Sequence, residues 1–254
     1  MQSRNFEEFI KTNKFTGLDF IKSVLNYERK RFDRYYMLNS VYEDINRNFG
    51  IFPATKNYPK YFMGDITQPE EKIIFIGINP GYSAENNLKE QQLLENQGYF
   101  NFCCHLFKYN ALDKKGLNSY FANIAGFLKR LKGIKKIDRQ WLQNNLINLE
   151  MIPYHSSNTG GLRINNLKLY RETHFEIILR ILDYLNPNGY IFINGFPTFE
   201  PYLKDRVFRD VISFEKKDSI WNGKIKNHPF IGLPFLNRPK GGKERLVKLV
   251  EKLS

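Results

Sequence analysis

The sequence predicts an α/β fold, a three-layer α/β/α sandwich around a four-stranded, mainly parallel sheet, with a helical N-terminal extension. Three observations carry this. Short apolar runs alternate with amphipathic segments of helical period from residue 72 onward, the pattern of a parallel sheet covered on both faces. Right-handed crossovers then place helices on either side. Residues 1–47 carry Phe, Ile, Leu, Val and Tyr at three- and four-residue spacings with no strand between them, which reads as helix alone.

After that extension, residues 50–70 hold three prolines and two glycines without periodicity, a linker or wrapping loop. KIIFIGI (72–78) reads as a buried strand and SYFANIAGFLKRLKGI (119–134) as an amphipathic helix. LINLEMI (146–152) is the second strand. RETHFEIILRILDYL (171–185) is a second helix, closed by Asn186-Pro187-Asn188-Gly189. YIFING (190–195) and PFIGLPF (229–235) supply the third and fourth strands, and KERLVKLVEKL (243–253) the last helix. The expected division is an extension and linker at 1–70 and an α/β domain at 71–254. Ligands of such sheets bind outside the carboxyl ends of the strands. Here those ends carry Asn79-Pro80-Gly81, Pro153-Tyr154-His155, Asn194-Gly195 and Pro234-Phe235-Leu236-Asn237.

With 254 residues, 42% hydrophobic and 15% aromatic, the chain can bury a substantial core, which argues against global disorder. No apolar run approaches the roughly 18 residues of a membrane span, and the charged N-terminus lacks a secretory apolar stretch. A cytoplasmic protein is expected. Cys103 and Cys104 are adjacent and are the only cysteines, too few for an iron–sulfur cluster or a zinc-deaminase site. A net charge of +13 favours an anionic partner, nucleic acid being the commonest. YERKRFDRYY (27–36) and KNYPKYF (56–62) interleave cations with rings, as phosphate contact and base stacking require. A lysine-rich composition without a partner is the plainer alternative.

Gly77-Ile78-Asn79-Pro80-Gly81 has neither the spacing of a dinucleotide-binding loop nor the Lys-Ser/Thr of a P-loop, and Gly241-Gly242-Lys243 is followed by Glu244. Strand, Gly-Ile-Asn-Pro-Gly, long loop and helix, in that order, resemble the uracil-DNA glycosylase superfamily, most closely its mismatch-specific uracil/thymine branch. LNPNGYIFINGFPTFEPYL (185–203) looks like that family's third strand and turn. LPFLNRPKGGKERLVKLV (233–250) stands where its second motif belongs, and the resemblance spans residues 70–254.

The resemblance implies a monofunctional glycosylase acting on uracil or a related base in duplex or single-stranded DNA, as a monomer without metal or cofactor. Asn79 would orient the attacking water. An amide cannot take its proton as an Asp would, so a slow enzyme is expected, by up to about 10²–10⁴-fold. Capping of the turn is the structural alternative for Asn79. Gly77, Ile78, Pro80, Gly81 and Tyr82 would line the pocket, with Gly81 leaving room for a 5-methyl group. Phe100 or Phe102 would stack on the flipped base, or simply be core. Asn148 or Glu150 would read the base edge, since an amide both donates and accepts. Tyr154 and His155 would line the pocket or touch DNA. Leu236 would be the apolar wedge that fills the gap left by the base. Asn237 would stand in for the family's missing His, and Arg238, Lys240 and Lys243 would hold phosphates. The loss of that His keeps a second reading open, a catalytically inactive DNA-binding protein on the same fold. A small-molecule hydrolase lacks the Gly-x-Ser-x-Gly elbow. No lysine sits in an apolar strand, which argues against Schiff-base lyase chemistry.

Overall fold

The structure is a computed structural model that describes residues 2–35, 40–50, 58–68, 72–78, 94–107, 119–154, 163–187, 189, 191–237 and 242–252. It is a mixed α/β protein whose single sheet has seven strands rather than four. These are β1 (Phe62–Met63), β2 (Ile73–Gly77), β3 (Leu146–Glu150), β4 (Ile191–Asn194), β5 (Ile212–Lys217), β6 (Ile220–Ile225) and β7 (His228–Leu233). Their order across the sheet is β1-β3-β2-β4-β7-β6-β5. The four strands expected from apolar runs are β3, β2, β4 and β7, side by side at the centre. The additions are β1 at one edge and the β5–β6 hairpin at the other. β2 and β7 run parallel to β4, whereas β6 is antiparallel to both β5 and β7.

The hairpin escaped the apolar-run reading for a physical reason. β5 is an edge strand whose residues beyond Ile212 are half-buried or exposed, and Glu215, Lys216 and Lys217 keep its open edge charged. β6 carries Gly223 in its interior, which lowers strand propensity. Packing explains that glycine. A Cβ there would meet the Ser213 carbonyl oxygen, and the Phe230 ring at 2.7 Å. Close approach at Gly223 and Gly232 lets Phe196 pack 5.2 Å from Trp221 and 5.4 Å from Phe230, centroid to centroid.

Two compact units divide the chain. One comprises Met63–Gly77, His105–Asn148 and Pro187–Ser254. It holds most of the sheet and, in chain order, the helices α5 (Ser119–Lys132), α6 (Arg139–Asn145), α9 (Glu200–Leu203) and α10 (Gly242–Glu251). Asp138 caps α6 by accepting the Trp141 N–H at 3.0 Å. Phe75 of β2 faces Phe192 of β4 in register, rings 5.1 Å apart, and Phe127 of α5 meets both edge-on. That aromatic triple locks helix to sheet.

The other unit comprises Met1–Phe62, Ile78–Cys104 and Leu149–Asn186. The helical stretch expected at 1–47 is broken into α1 (Gln2–Thr12), α2 (Gly17–Tyr35) and α3 (Ser40–Phe49). They are joined in this unit by α4 (Tyr99–Cys104), α7 (Leu167–Tyr170) and α8 (Glu176–Leu185). A π-helical turn, Arg171–Phe175, links α7 to α8. α8 ends on Asn186 in the left-handed conformation at φ 40°, the stop that Asn-Pro-Asn-Gly announces. Among the described residues no helix is long and apolar enough to cross a membrane.

Replacing Gly223 by Ala should cost on the order of 3 kcal/mol, because backbone and ring atoms both occupy the Cβ position. Urea unfolding checks this as a lowered midpoint at unchanged slope.

Candidate functional site

Chain order in the sheet reverses at β2, with β3 on one side and β4 on the other. Crevices that bind ligands in open α/β sheets lie outside the carboxyl ends at such a reversal. Parallel register sets Ile76 opposite Ile193 and Asn194 opposite Leu233, so the ends of β2, β4 and β7 stand level. Gly77 closes β2 there, buried. Asn194 Oδ1 accepts the Leu236 N–H at 3.1 Å, and Gly195 N–H donates to the Leu233 carbonyl at 3.0 Å. These bonds tie the loop after β7 to the tip of β4. Leu236, the expected wedge, is turned into the core at 1% exposure, while Phe235 stands out at 40%. Asn237 is exposed, and Lys243 lies in the first turn of α10. Arg238 and Lys240 lie outside the described residues.

In the other unit, three backbone segments meet. Ile152 N–H donates to the Ile78 carbonyl at 2.9 Å, Lys60 N–H to the Pro153 carbonyl at 2.7 Å, and Glu150 N–H to the Tyr61 carbonyl at 3.1 Å. The residue following β2, the stretch closing β3 and the segment before β1 are therefore stitched together. Asn79, Pro80, Gly81, Tyr82 and His155 lie outside the described residues. Glu150 is buried, and Phe102 is buried on α4. Over the Phe102 ring, 5.7 Å from its centroid, lies the ammonium of Lys60, itself only 3% exposed. Phe100 is half-buried, 6.2 Å from the Phe62 ring, and carries the Lys22 ammonium 5.3 Å from its own centroid. Each candidate stacking ring thus has a cation over one face. Asn148, the other proposed base reader, belongs to the sheet-bearing unit, where it is fully buried on β3 and accepts the Tyr120 hydroxyl at 3.0 Å.

A polar cluster that sequence reasoning missed is built from Glu28 and Arg31 of α2, Tyr61, Tyr154 and His174. The Arg31 guanidinium lies 3.4 Å from both Glu28 oxygens and 3.4 Å from the Tyr154 hydroxyl. Tyr61 hydroxyl reaches Glu28 Oε1 at 2.9 Å and His174 Nδ1 at 3.3 Å. Tyr61 has one O–H to donate and directs it at Glu28, so its oxygen is left to accept from His174 in the tautomer that carries the hydrogen on Nδ1. Rings of Phe49, Tyr154 and Phe6 enclose the imidazole at 5.2, 5.4 and 5.5 Å. Beside it is a cavity of about 30 Å³, lined among others by Arg31, Asn48, Thr173 and His174. That is room for a water or two and far too small for a base. Tyr154 therefore serves this cluster through its hydroxyl. Of the cations in the basic-aromatic runs, Lys60 is buried and Arg31 is largely covered and turned to Glu28, whereas Arg29 and Lys30 are exposed. No local pattern marks this cluster, since the π turn that carries His174 is a helix irregularity that sequence does not announce.

Burial, reinforced by the Arg31 charge, pushes His174 down to about 3 from an ordinary 6.5. Burial raises Glu28, against the opposing pull of Arg31 and Tyr61. A histidine held neutral contributes stability that is full above its unfolded value and is lost as pH falls towards its folded one. Glu28, raised, works the other way and offsets part of the loss. The urea midpoint should fall between about pH 7 and about pH 5, and His174→Gln should flatten that fall. An equal slope in the two proteins would contradict the assignment.

No protein-family model matches the chain, and no curated protein matches it.

Proposed function

We propose that the protein is a DNA glycosylase that hydrolyses the N-glycosidic bond of a flipped-out uracil or related base, on a three-layer α/β/α core. The observation that carries this reading is the position of Gly77-Ile78-Asn79-Pro80-Gly81. The motif begins at the last residue of β2, the strand at which the sheet's chain order reverses. Asn79 orients a water beneath the anomeric carbon, and the departing base leaves as an anion. Phe100, half-buried, is the better placed of the two stacking candidates. Phe235 replaces Leu236 as the wedge, because it is the large apolar side chain that the loop after β7 leaves in solvent. Asn237, exposed beside it, supplies a neutral donor in place of the absent His. The net charge of +13 draws the duplex. The enzyme is slow, monomeric and cytoplasmic, needs no metal or cofactor, and serves base excision repair.

The missing His favours a second reading, a DNA-binding protein that releases no base. Both readings give salt-sensitive binding, and base release separates them.

Labelled duplexes carrying uracil opposite guanine or adenine, and single-stranded uracil DNA, should yield alkali-labile sites. Asn79→Ala should lower their formation by about 10²-fold or more. Tight binding with no release from any of these substrates would leave the binding reading.

The wedge has its own signature. Phe235→Ala should slow excision from duplex while sparing single-stranded substrate, which leaves no gap in a base stack to fill. Equal losses on both substrates would remove Phe235 from that role.

A further inference from the structure

We propose that the small cavity beside His174 is a binding site for one ordered water, which accepts the Arg31 Nε–H and donates to His174 Nε2. That water closes a ring of hydrogen bonds running from Glu28 through Tyr61, His174 and the water to Arg31 and back to Glu28. The inference stands apart from the DNA reading and concerns the helical unit alone.

Arg31 Nε is buried and has no hydrogen-bond partner among the described residues. The side chain is only 10% exposed, and its Nη1 is taken up by Glu28 and Tyr154. A guanidinium N–H left unpaired in such a place is costly, so it calls for an acceptor. His174 carries the complementary need. Its Nδ1 faces Tyr61, so in the Nδ1–H tautomer Nε2 keeps a lone pair to fill. Both residues line the cavity. Shared neighbours hold them there together. The Phe6 centroid is 5.6 Å from the Arg31 guanidinium and 5.5 Å from the imidazole. Tyr154, whose hydroxyl bonds Arg31, sets its ring 5.4 Å from the same imidazole.

Size and charge choose the occupant. About 30 Å³ admits a molecule no larger than a water or two. An anion would meet Glu28 against Arg31 and Asp44 in the cavity wall, of which Arg47, 3.5 Å from Asp44, offsets only one. It would also find few hydrogens. Thr173 gives its hydroxyl hydrogen to the Leu169 carbonyl at 2.6 Å, and Tyr170 gives its own to the Met151 carbonyl at 3.1 Å. A cation would meet the Arg31 charge, and an apolar molecule would leave both nitrogens unpaired. Water alone accepts at one nitrogen and donates at the other. Its second hydrogen is left for Asn48 or Asp44 in the wall, which brings it to the roughly three bonds usual for buried water. The water thereby joins α2 to the π turn and holds His174 in the tautomer that Tyr61 requires.

The test is a crystal structure of the full chain at a resolution that shows ordered solvent, with a second crystal grown in bromide. A solvent peak within about 3.2 Å of both Arg31 Nε and His174 Nε2 is expected, with no anomalous signal there in bromide. In solution, long-range proton–nitrogen NMR of the wild-type protein should place the hydrogen on Nδ1 of His174. It should also show the Nε2 resonance shifted upfield by the bond it accepts. An empty cavity, a peak that reaches only one of the two nitrogens, or a hydrogen on Nε2 would overturn the proposal. Bromide at the position would overturn it too, by making this an anion site. None of these readings needs a variant that might fail to fold.

Discussion

Backbone groups that run on past the ends of two neighbouring strands have to find partners, because a buried N–H or C=O left unpaired costs about 1–3 kcal/mol. Beyond β2 the Ile78 carbonyl takes the Ile152 N–H, and along and beyond β3 the chain meets this demand with residues 59–61, each bonded through its main chain. Much else in that unit follows from this stitching. Pro59 draws in Tyr99 at the start of α4, Lys60 is carried to the face of Phe102, and Tyr61 reaches Glu28 and His174. A segment with the composition of a linker becomes the part of the core on which the buried polar groups depend.

The Glu28–Arg31 pair shows what such burial demands. Two opposite charges inside a protein repay their desolvation only when their remaining hydrogen-bonding capacity is met, and removing one partner costs about 3–5 kcal/mol. Tyr61 and Tyr154 supply part of that capacity. His174 accordingly stays neutral within its shell of rings. A cavity that admits only water fits a stabilising role for this cluster and directs base recognition elsewhere.

The sheet-bearing unit solves a different problem, which is to bring three strand ends level and cover them with a defined loop. Asn194 does so by spending its side-chain oxygen on the Leu236 N–H, an amide standing in for the next step of the ladder. Leu236 is buried and Phe235 exposed in the turn that this bond anchors. On the far side of β7, close packing around Gly223 and Gly232 lets the hairpin extend the sheet.

Local pattern was enough for the four central strands, for the helices over 119–132 and 242–251, and for the stop at Asn186. Each is encoded within a dozen residues by which positions are apolar and where proline, glycine or asparagine interrupts them. Tertiary structure alone decided the rest. The β5–β6 hairpin is polar along its outer strand and hides a glycine in its inner one, so no apolar run marks it. Phe235 and Leu236 are equally apolar on paper, and the turn that a residue 42 positions away anchors exposes one and buries the other. Lys60, Glu28, Arg31 and His174 read as surface by residue type. Contacts with Tyr61, Tyr154 and Phe102, brought from distant parts of the chain, surround them, and such contacts leave no periodic trace in sequence.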